Sequence, residues 1–216
     1  MPPPPQDTRA RLIAAAGAVF ARDGFQRAGI REICTLAGAN VASVKYYFGN
    51  KIGLYRHTVL AGVEELGAQR LFPPLDPVQP AHRALESWLR IFLDFTLIRR
   101  HNHPYLGHIL KHELREPTEI LDEVARVVIK PIHRQFSQHL ARVLNLSPAS
   151  PEVARLAAFS LSFCANLETS RPLLERLGLK LPGDAHEVER FAAHVSAFIL
   201  HGVSASARPK KKKGAK

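Results

Sequence analysis

Gly29–Lys51 reads GIREICTLAGANVASVKYYFGNK, and this stretch decides the fold. Its first part carries apolar residues at the spacing of one helix face, at Ile30, Ile33, Cys34 and Ala37. Gly38-Ala39-Asn40 then breaks the pattern with a glycine that tolerates a positive φ and an asparagine that can cap a helix. A second apolar stripe follows at Val41, Val44 and Phe48. The stretch predicts two short helices joined by a tight turn.

Two such helices form a helix-turn-helix, whose second helix lies in the major groove of DNA. With Val44 facing inward, the outward arc holds small residues, a cation and hydroxyl groups, which suit contacts to phosphates and base edges. We predict binding of double-stranded DNA through Arg31, Asn40, Ala42, Ser43, Lys45, Tyr46, Tyr47 and Lys51. Lys45 is the predicted base reader, and Tyr47 and Lys51 are predicted phosphate contacts.

The distribution of charge supports DNA binding at one end of the chain. The net charge of +11 divides into +5 over residues 1–57, zero over 58–207 and +6 over 208–216. A basic N-terminal part beside a neutral remainder fits a nucleic-acid reader. A merely solvated basic face is the alternative for the N-terminal charge. The lysine-rich tail fits either non-specific DNA attraction or a solubility role.

The composition argues against other classes of protein. The two cysteines, Cys34 and Cys164, lie in apolar helical contexts and are expected to be small buried residues. No secretory signal or membrane span is recognisable, so we expect a cytoplasmic protein that does not bind membranes. No nucleophile elbow or phosphate loop is present, and we expect neither enzyme activity nor a cofactor. His108 and His112 share a helix face, but they lack a further ligand, and no metal site is predicted.

The remainder of the chain reads as helical, which gives an all-α fold. We predict a disordered proline-rich lead at 1–7, a helix-turn-helix domain with its linking helix four at 8–72, a second domain at 77–206 and a disordered tail at 207–216. Breaks at Pro73–Pro77 mark the boundary. Pro104 is predicted at the first turn of a helix, Pro131 inside a kinked helix, and Arg171–Gly178 as a separate short segment.

The run IREICxLAGANxxxVxYYFxNKxxL resembles the DNA-binding domain of the TetR family of bacterial transcriptional repressors. Ile33, Ala37-Gly38, Tyr46-Tyr47-Phe48, Lys51 and Leu54 match the family pattern. Two positions depart from it. Gly29 replaces the usual Thr or Ser that caps helix two, and Lys45 stands where a tyrosine is frequent, so the base preference does not carry over.

The C-terminal half resembles CecR-like regulators of this family in the phrases HPYLxxILKHELxEP, VVIKPI and ETSRPLLERLG. The resemblance implies homodimerisation through the last two long helices and a response to small drug-like or lipophilic molecules. The predicted dimer interface comprises Leu156, Ser160, Phe163, Phe191, Val195, Phe198 and Ile199. The same stripes would also fit helices that face their own core.

An effector site would be an apolar cavity with a few polar anchors. The candidate residues are Trp88, Phe92, His108, His112, Phe159, Phe163, Asn166 and Arg171. The sequence as a whole predicts a ligand-responsive regulator, a repressor released from a palindromic operator by its effector. The alternative is a non-regulatory basic helical protein that binds polyanions or membrane surfaces without specificity.

Overall fold

The computed structural model describes residues 5–67, 72, 75–99 and 103–206, with side chains described from Thr8 to Gly202. None of these residues lies in a β-strand, and the predicted all-α class is confirmed. The helices are α1 Pro5–Arg27, α2 Ile30–Ala37, α3 Val41–Phe48, α4 Lys51–Glu65, α5 Ala81–Asp94, α6 Leu106–Arg115, α7 Ile120–Val124, α8 Lys130–Leu144, α9 Pro151–Arg176 and α10 Ala185–Ser206. Two π-helical segments, Phe95–Arg99 and Ala125–Ile129, directly follow α5 and α7.

The chain divides into two compact units. The head unit comprises residues 1–71 and 99–130, and the body unit comprises 72–98 and 131–216. The chain therefore first leaves the head unit close to the predicted boundary at Pro73–Pro77. Residues 99–130, however, which the sequence analysis assigned to the second domain, pack with the head helices. The two compact units do not show which segment binds DNA and which binds an effector, so the domains 8–72 and 77–206 remain a prediction.

Helix α1 forms the centre of the head unit and packs against α2, α4 and α6. Leu12, Ala16, Val19 and Phe20 recur on one helical face and are fully buried. The helix begins at Pro5, and Gly24, with a φ of 73° and a ψ of 176°, interrupts the helical backbone before the last residues to Arg27.

A tyrosine ring inserts where the head helices lack side chains. A Cβ placed on Gly17 of α1 would lie 2.6 Å from Cδ1 of Tyr105, and one placed on Gly62 of α4 would lie 3.3 Å from Cε2 of the same ring. Glycine at these two helical positions therefore leaves the space that the Tyr105 ring occupies. The ring is buried, which raises the pKa of its hydroxyl.

The head unit pairs its buried polar groups internally. The Glu113 carboxylate is only 2% exposed and accepts from the Tyr55 hydroxyl at 2.7 Å and from the Thr118 N–H at 2.8 Å and Oγ1 at 2.9 Å. The buried His103 ring accepts at Nδ1 from the Leu106 N–H at 3.1 Å, which caps the start of α6. Its Nε2 therefore carries the proton and donates to Glu65 at 3.2 Å.

The body unit is built around aromatic side chains. Trp88 and Phe92 of α5 stack with their ring centroids 5.4 Å apart, and Phe72 stacks on Trp88 at 4.8 Å. Phe136 of α8 packs against the same indole at 4.9 Å. Helix α10 packs along α5 through Val188, Ala192, Val195 and Ile199, all buried. Burial of such rings is the largest favourable contribution to a helical core.

Several predicted helix boundaries were wrong. Pro104 lies before α6, and the residue preceding the helix is Tyr105. Arg171–Gly178 is not a separate segment, because α9 continues through Pro172 to Arg176. The irregularity expected at Pro131 lies just before it, as the π-helical segment Ala125–Ile129. Proline lacks an N–H donor, and a π-helical turn is one way for the chain to adjust.

Residues 1–4 of the predicted lead and 207–216 of the predicted tail lie outside the described residues, whereas residues 5–7 are helical. Both cysteines are buried, as predicted. Within the part of the chain that the structure describes, no helix has the length and apolar character needed to cross a membrane.

Candidate nucleic-acid interface

The turn between α2 and α3 has the geometry that its sequence predicted. Gly38 adopts left-handed values, φ 58° and ψ 40°, at the end of α2. The Ala39 N–H then donates to the Cys34 carbonyl at 2.9 Å, which closes the turn. A residue with a Cβ would be strained at this φ, so the glycine fixes the direction in which the chain enters α3.

Asn40 caps α3, also as predicted. Its Oδ1 accepts from the Ser43 N–H at 2.8 Å and from the Ser43 hydroxyl at 3.1 Å. Both side chains thus take part in holding the start of the helix. The Ser43 hydroxyl already donates within the protein. A predicted contact from Asn40 or Ser43 to DNA would therefore use groups that also cap the helix.

The inner face of α3 packs on the head core, and its outer face is open. Val44 and Phe48 are buried, whereas Ala42, Lys45 and Tyr46 are exposed, with Tyr46 at 82%. Tyr47 is half-buried and lies edge-on to the Tyr46 ring, with centroids 4.8 Å apart. The predicted outward arc is thus present on a helix whose opposite face is held by the core.

Val41 was placed on the inward stripe, and this placement was wrong. Its side chain is 51% exposed, because it sits at the first position of α3 beside a turn whose Gly38 and Asn40 are themselves at the surface. An exposed valine beside Ala42 adds an apolar group to the outer face, where it could contact a thymine methyl. The sequence did not predict the exposure of Val41, because Val41 and Val44 are three positions apart and such positions share a helical face.

The basic residues of the head unit divide into two groups. The first group has exposed side chains that make no hydrogen bond or ion pair within the described residues, and it includes Arg31 and Lys45. The second group is engaged in the fold. The Arg11 Nε donates to the Ala37 carbonyl at 2.9 Å, Arg22 pairs with Asp23 and Glu32, and Arg56 pairs with Glu123. Arg31 of α2 and Lys45 of α3 are thus cations that the fold leaves available to a ligand.

Lys51 belongs to the second group. Its ammonium donates to the Gln26 carbonyl at 3.1 Å and lies 4.8 Å from the centroid of the Phe25 ring. Partial burial lowers the pKa of this ammonium. Lys51 thus ties α4 to the end of α1. A phosphate contact, which remains a prediction, would add to this structural role.

The predicted effector residues are not gathered in one place. Trp88 and Phe92 stack in the body core, while Phe159 and Phe163 are exposed on α9. On the same helix, Asn166 donates to the Ser162 carbonyl and Arg171 pairs with Glu168. His108 and His112 belong to the head unit. Only Trp88 and Phe92 therefore form part of a buried aromatic cluster.

The two histidines of α6 have different surroundings. His108 is exposed, whereas His112 is half-buried with its Nε2 3.1 Å from the Ala21 carbonyl. The His112 ring also lies against Gly24, where a Cβ would be 3.1 Å from Nδ1. His112 thus covers the end of α1. Among the described residues, no three His, Cys, Asp or Glu side chains group as metal ligands would.

The predicted dimer residues face two directions. Ser160, Val195 and Ile199 are buried inside the body unit, and Leu156 and Phe191 are half-buried. Phe163 and Phe198 are exposed at 46% and 69%, with their rings 5.8 Å apart. Phe159, assigned to the effector set, is 69% exposed one turn before Phe163. We call Phe159, Phe163 and Phe198 the phenylalanine patch.

Two family descriptions match the chain. Residues 12–58 match the bacterial regulatory proteins of the tetR family, which is the segment that carries the helix-turn-helix. Residues 81–203 match the C-terminal domain of the HTH-type transcriptional dual regulator CecR, which is more than half of the chain.

Individual relatives agree with these matches. The chain is 32% identical over 149 residues to the HTH-type transcriptional dual regulator CecR of Shigella flexneri, covering 64% of each protein. It is 28% identical over 117 residues to the probable HTH-type transcriptional regulator YttP of Bacillus subtilis (strain 168), covering 54% of this chain and 55% of that one. The chain thus spans less than two thirds of the length of these relatives.

Among solved structures, a transcriptional regulator from Rhodococcus sp. Rha1 superposes with a TM-score of 0.62 over 91% of this chain and 97% of that one. The sequences are 19% identical, so this likeness concerns the fold. Together with the two family matches, it establishes that the chain belongs to the TetR family of bacterial transcriptional regulators and is of the CecR type.

Proposed function

We propose that this protein is a ligand-responsive transcriptional repressor that binds a palindromic operator as a homodimer and is released by a small lipophilic or drug-like effector. The observation that carries the proposal is the outer face of α3. There Lys45 and Tyr46 are exposed beside the small Ala42, on a helix whose inner face is fixed by Val44 and Phe48. The Shigella flexneri relative is named a dual regulator, so activation at some sites is compatible with the proposal.

The experiment measures binding of the full chain to the DNA directly upstream of its own gene, against scrambled DNA, at two salt concentrations. A specific regulator should prefer the upstream fragment by a factor of roughly 10³ or more. A basic protein that binds polyanions would show little preference at equal salt, and its affinity would fall steeply with salt for both fragments. That second result would sink the proposal.

Two lysine variants distinguish base contacts from phosphate contacts at the proposed interface. Lys45→Ala should change which bases are preferred, costing about 1–3 kcal/mol at the cognate position, because base contacts carry specificity. Lys51→Ala should weaken all sequences similarly and lower the salt dependence, because phosphate contacts do not read sequence. Competition binding against a library of single-base operator variants measures both effects. An equal loss of specificity in the two variants would contradict this division.

The phenylalanine patch supports a second copy of the chain as the partner of the body unit. Monomers rarely leave several large apolar side chains exposed side by side on neighbouring helices. A single recognition helix reads few base pairs, whereas two helices related by a twofold axis read successive major grooves about 34 Å apart. The predicted interface is therefore revised to centre on Phe159, Phe163 and Phe198, with the buried Ser160, Val195 and Ile199 supporting it from within.

A charge placed on the patch should break the dimer. Phe198→Glu buries an unpaired carboxylate in the interface, and we expect a monomer with at least about tenfold weaker operator binding. Light scattering gives the mass, and the DNA titration gives the affinity. Val78→Glu is the matched control, since Val78 is 89% exposed on a loop of the same unit. A Phe198→Glu protein that stays dimeric would place the interface elsewhere.

Release by an effector requires that the ligand prefers the arrangement of the dimer in which the two recognition helices no longer fit successive grooves. In the proposed mechanism, ligand binding in domain 77–206 acts through helix four on the spacing of the two DNA-reading domains 8–72. Such coupling is reciprocal, so DNA must weaken effector binding by the same factor by which effector weakens DNA binding. An effector that binds the protein but leaves its affinity for the operator unchanged would overturn the proposed release.

A further inference from the structure

Four buried polar atoms have no hydrogen-bond partner among the residues that the structure describes. They are the Ser137 and Ser196 hydroxyls and both ring nitrogens of His139, and all belong to the body unit. His139 stands out because one side chain carries two of them. The residue is only 5% exposed, on α8.

Such a group is costly. A buried polar atom without a partner destabilises a fold by about 1–3 kcal/mol, so folded proteins satisfy nearly all of them with protein, water or ligand. None of the sequence patterns required a histidine at this position, which lies in the buried arc of α8 next to Leu140. An apolar residue would serve a packing role better. The unpaired nitrogens therefore call for a polar partner from outside the described chain.

The surroundings of His139 are aromatic. Its ring centroid is 6.2 Å from that of Trp88, which also contacts Phe72, Phe92 and Phe136. The indole N–H donates to the Gln135 Oε1 at 3.5 Å, a distance at which the bond is weak. Two polar groups, the imidazole and the indole N–H, thus lie on a cluster of flat apolar rings. Such walls suit a planar ligand.

The backbone beside this cluster is irregular. Helix α5, which carries Trp88 and Phe92, ends in the π-helical segment Phe95–Arg99, and Phe95 packs 6.1 Å from Phe72. Short π-helical turns inside helical proteins are frequent at functional sites. This observation is independent of the unpaired nitrogens and concerns the same cluster.

The surroundings of His139 suit an uncharged ligand. Burial, together with the nearby Arg142, lowers the pKa of His139 to about 4, so at neutral pH its ring is uncharged and offers one donor and one acceptor. The Arg142 guanidinium itself donates to the carbonyls of Asp76, Pro77 and Gln79 at 2.8–3.2 Å. The positive charge of Arg142 disfavours a cationic ligand, and its engaged donors leave little for an anionic ligand to bind. Burial beside apolar rings penalises either charge, so an uncharged ligand fits the site best.

We propose that His139 and the Trp88 cluster form a binding site for a small uncharged aromatic compound with a hydroxyl group, of the phenol class. The aromatic ring packs against the indole, and the hydroxyl bonds one imidazole nitrogen, leaving the other for a second polar group of the ligand or a water. The inference rests on the proposed function, since this compound would be the effector of the regulator.

The test uses 4-ethylphenol and its hydroxyl-free counterpart ethylbenzene, titrated calorimetrically into the full chain. Wild-type protein should bind the phenol saturably and about tenfold more tightly than ethylbenzene, the gain expected for one buried hydrogen bond. His139→Phe keeps an aromatic ring but removes both nitrogens, and should bind the two compounds equally. His194→Phe makes the same change at an exposed position of the body unit and should keep the tenfold preference.

Wild-type protein without saturable phenol binding, or a His139→Phe variant that keeps the preference, would overturn the site. If that variant fails to fold, nitrogen-labelled histidine in the wild-type protein replaces it, because phenol binding must shift the His139 ring resonances. Specific operator binding together with absent phenol binding would overturn this site alone. Phenol binding without specific operator binding would support the site and overturn the proposed function.

Discussion

The head and body units treat their buried polar groups in opposite ways. In the head, the Glu113 carboxylate accepts three hydrogen bonds and His103 uses both ring nitrogens. In the body, both nitrogens of His139 and two serine hydroxyls lack partners among the described residues. A fully hydrogen-bonded network favours one arrangement of its helices. Unpaired buried groups instead gain favourable hydrogen bonds when a ligand binds them. The difference suits the proposed function, in which the head presents α3 rigidly to DNA and the body responds to a ligand.

The largest expected effect comes from breaking the head network. Glu113→Leu leaves the Tyr55 hydroxyl and both Thr118 donors without their acceptor, and we expect the free energy of unfolding to fall by about 3–4 kcal/mol. Urea titration measures this loss. Glu116→Leu, at an exposed position just after the same helix, should change stability by less than about 0.5 kcal/mol. Similar losses in both variants would show that the network does not hold the head together.

Filling the space that the Tyr105 ring occupies beside Gly17 should have the next largest effect on stability. Gly17→Ala places a methyl group 2.6 Å from the buried ring, and overpacking of this kind costs about 2 kcal/mol, although alanine is otherwise the better helix former. Gly202→Ala, where a Cβ meets no atom within 4 Å, should stabilise the protein slightly. Adding Tyr105→Leu to Gly17→Ala should recover part of the loss. Purely additive losses would mean that the ring and the glycine do not interact.

Lowering the pH should destabilise the body unit. His139 has a folded pKa of about 4 against an ordinary 6.5, so the unfolded chain binds its proton first as the pH falls. This contribution to stability is therefore present above pH 6.5 and is lost between 6.5 and 4, by about 2 kcal/mol at pH 5. Thermal unfolding from pH 7 to pH 5 measures it. His139→Phe should have a smaller decline over that range, and an unchanged decline would refute the assignment.

The smallest expected effect concerns the same residue at pH 7. His139→Phe removes two unpaired nitrogens and keeps an aromatic ring, and we expect it to raise the free energy of unfolding by about 1 kcal/mol. Head variants that delete a polar partner should all be destabilising. A destabilised His139→Phe protein would indicate that the imidazole is already satisfied in solution, and the contrast between the two units would then disappear.

Local patterns in the sequence were sufficient for the helix-turn-helix. The spacing of Ile33, Cys34 and Ala37, the left-handed Gly38 and the Asn40 cap are all set by neighbouring residues, and the structure has each of them. The resemblance to TetR-like and CecR-like proteins rests on the same kind of local phrase. These parts could be predicted because helix periodicity and capping depend on residues a few positions apart.

Contacts between distant residues could not be predicted in this way. Nothing in the periodicity of residues 99–130 indicates that they pack with the head, because an amphipathic helix does not specify its partner. The same holds for Lys51 and the Gln26 carbonyl, 25 positions apart. The exposure of Phe159 and the burial of His139 could not be predicted either, since an aromatic or polar side chain in a helical pattern does not show which way its helix faces.

The distribution of aromatic side chains between the two units has an optical consequence. All four tyrosines, at positions 46, 47, 55 and 105, belong to the head, and the single tryptophan, Trp88, belongs to the body. Tyrosine and tryptophan emission therefore report on different halves of the unmodified protein. Coincident melting curves from the two fluorophores would mean that head and body unfold as one cooperative system, and separate curves would give the stability of each half without a label.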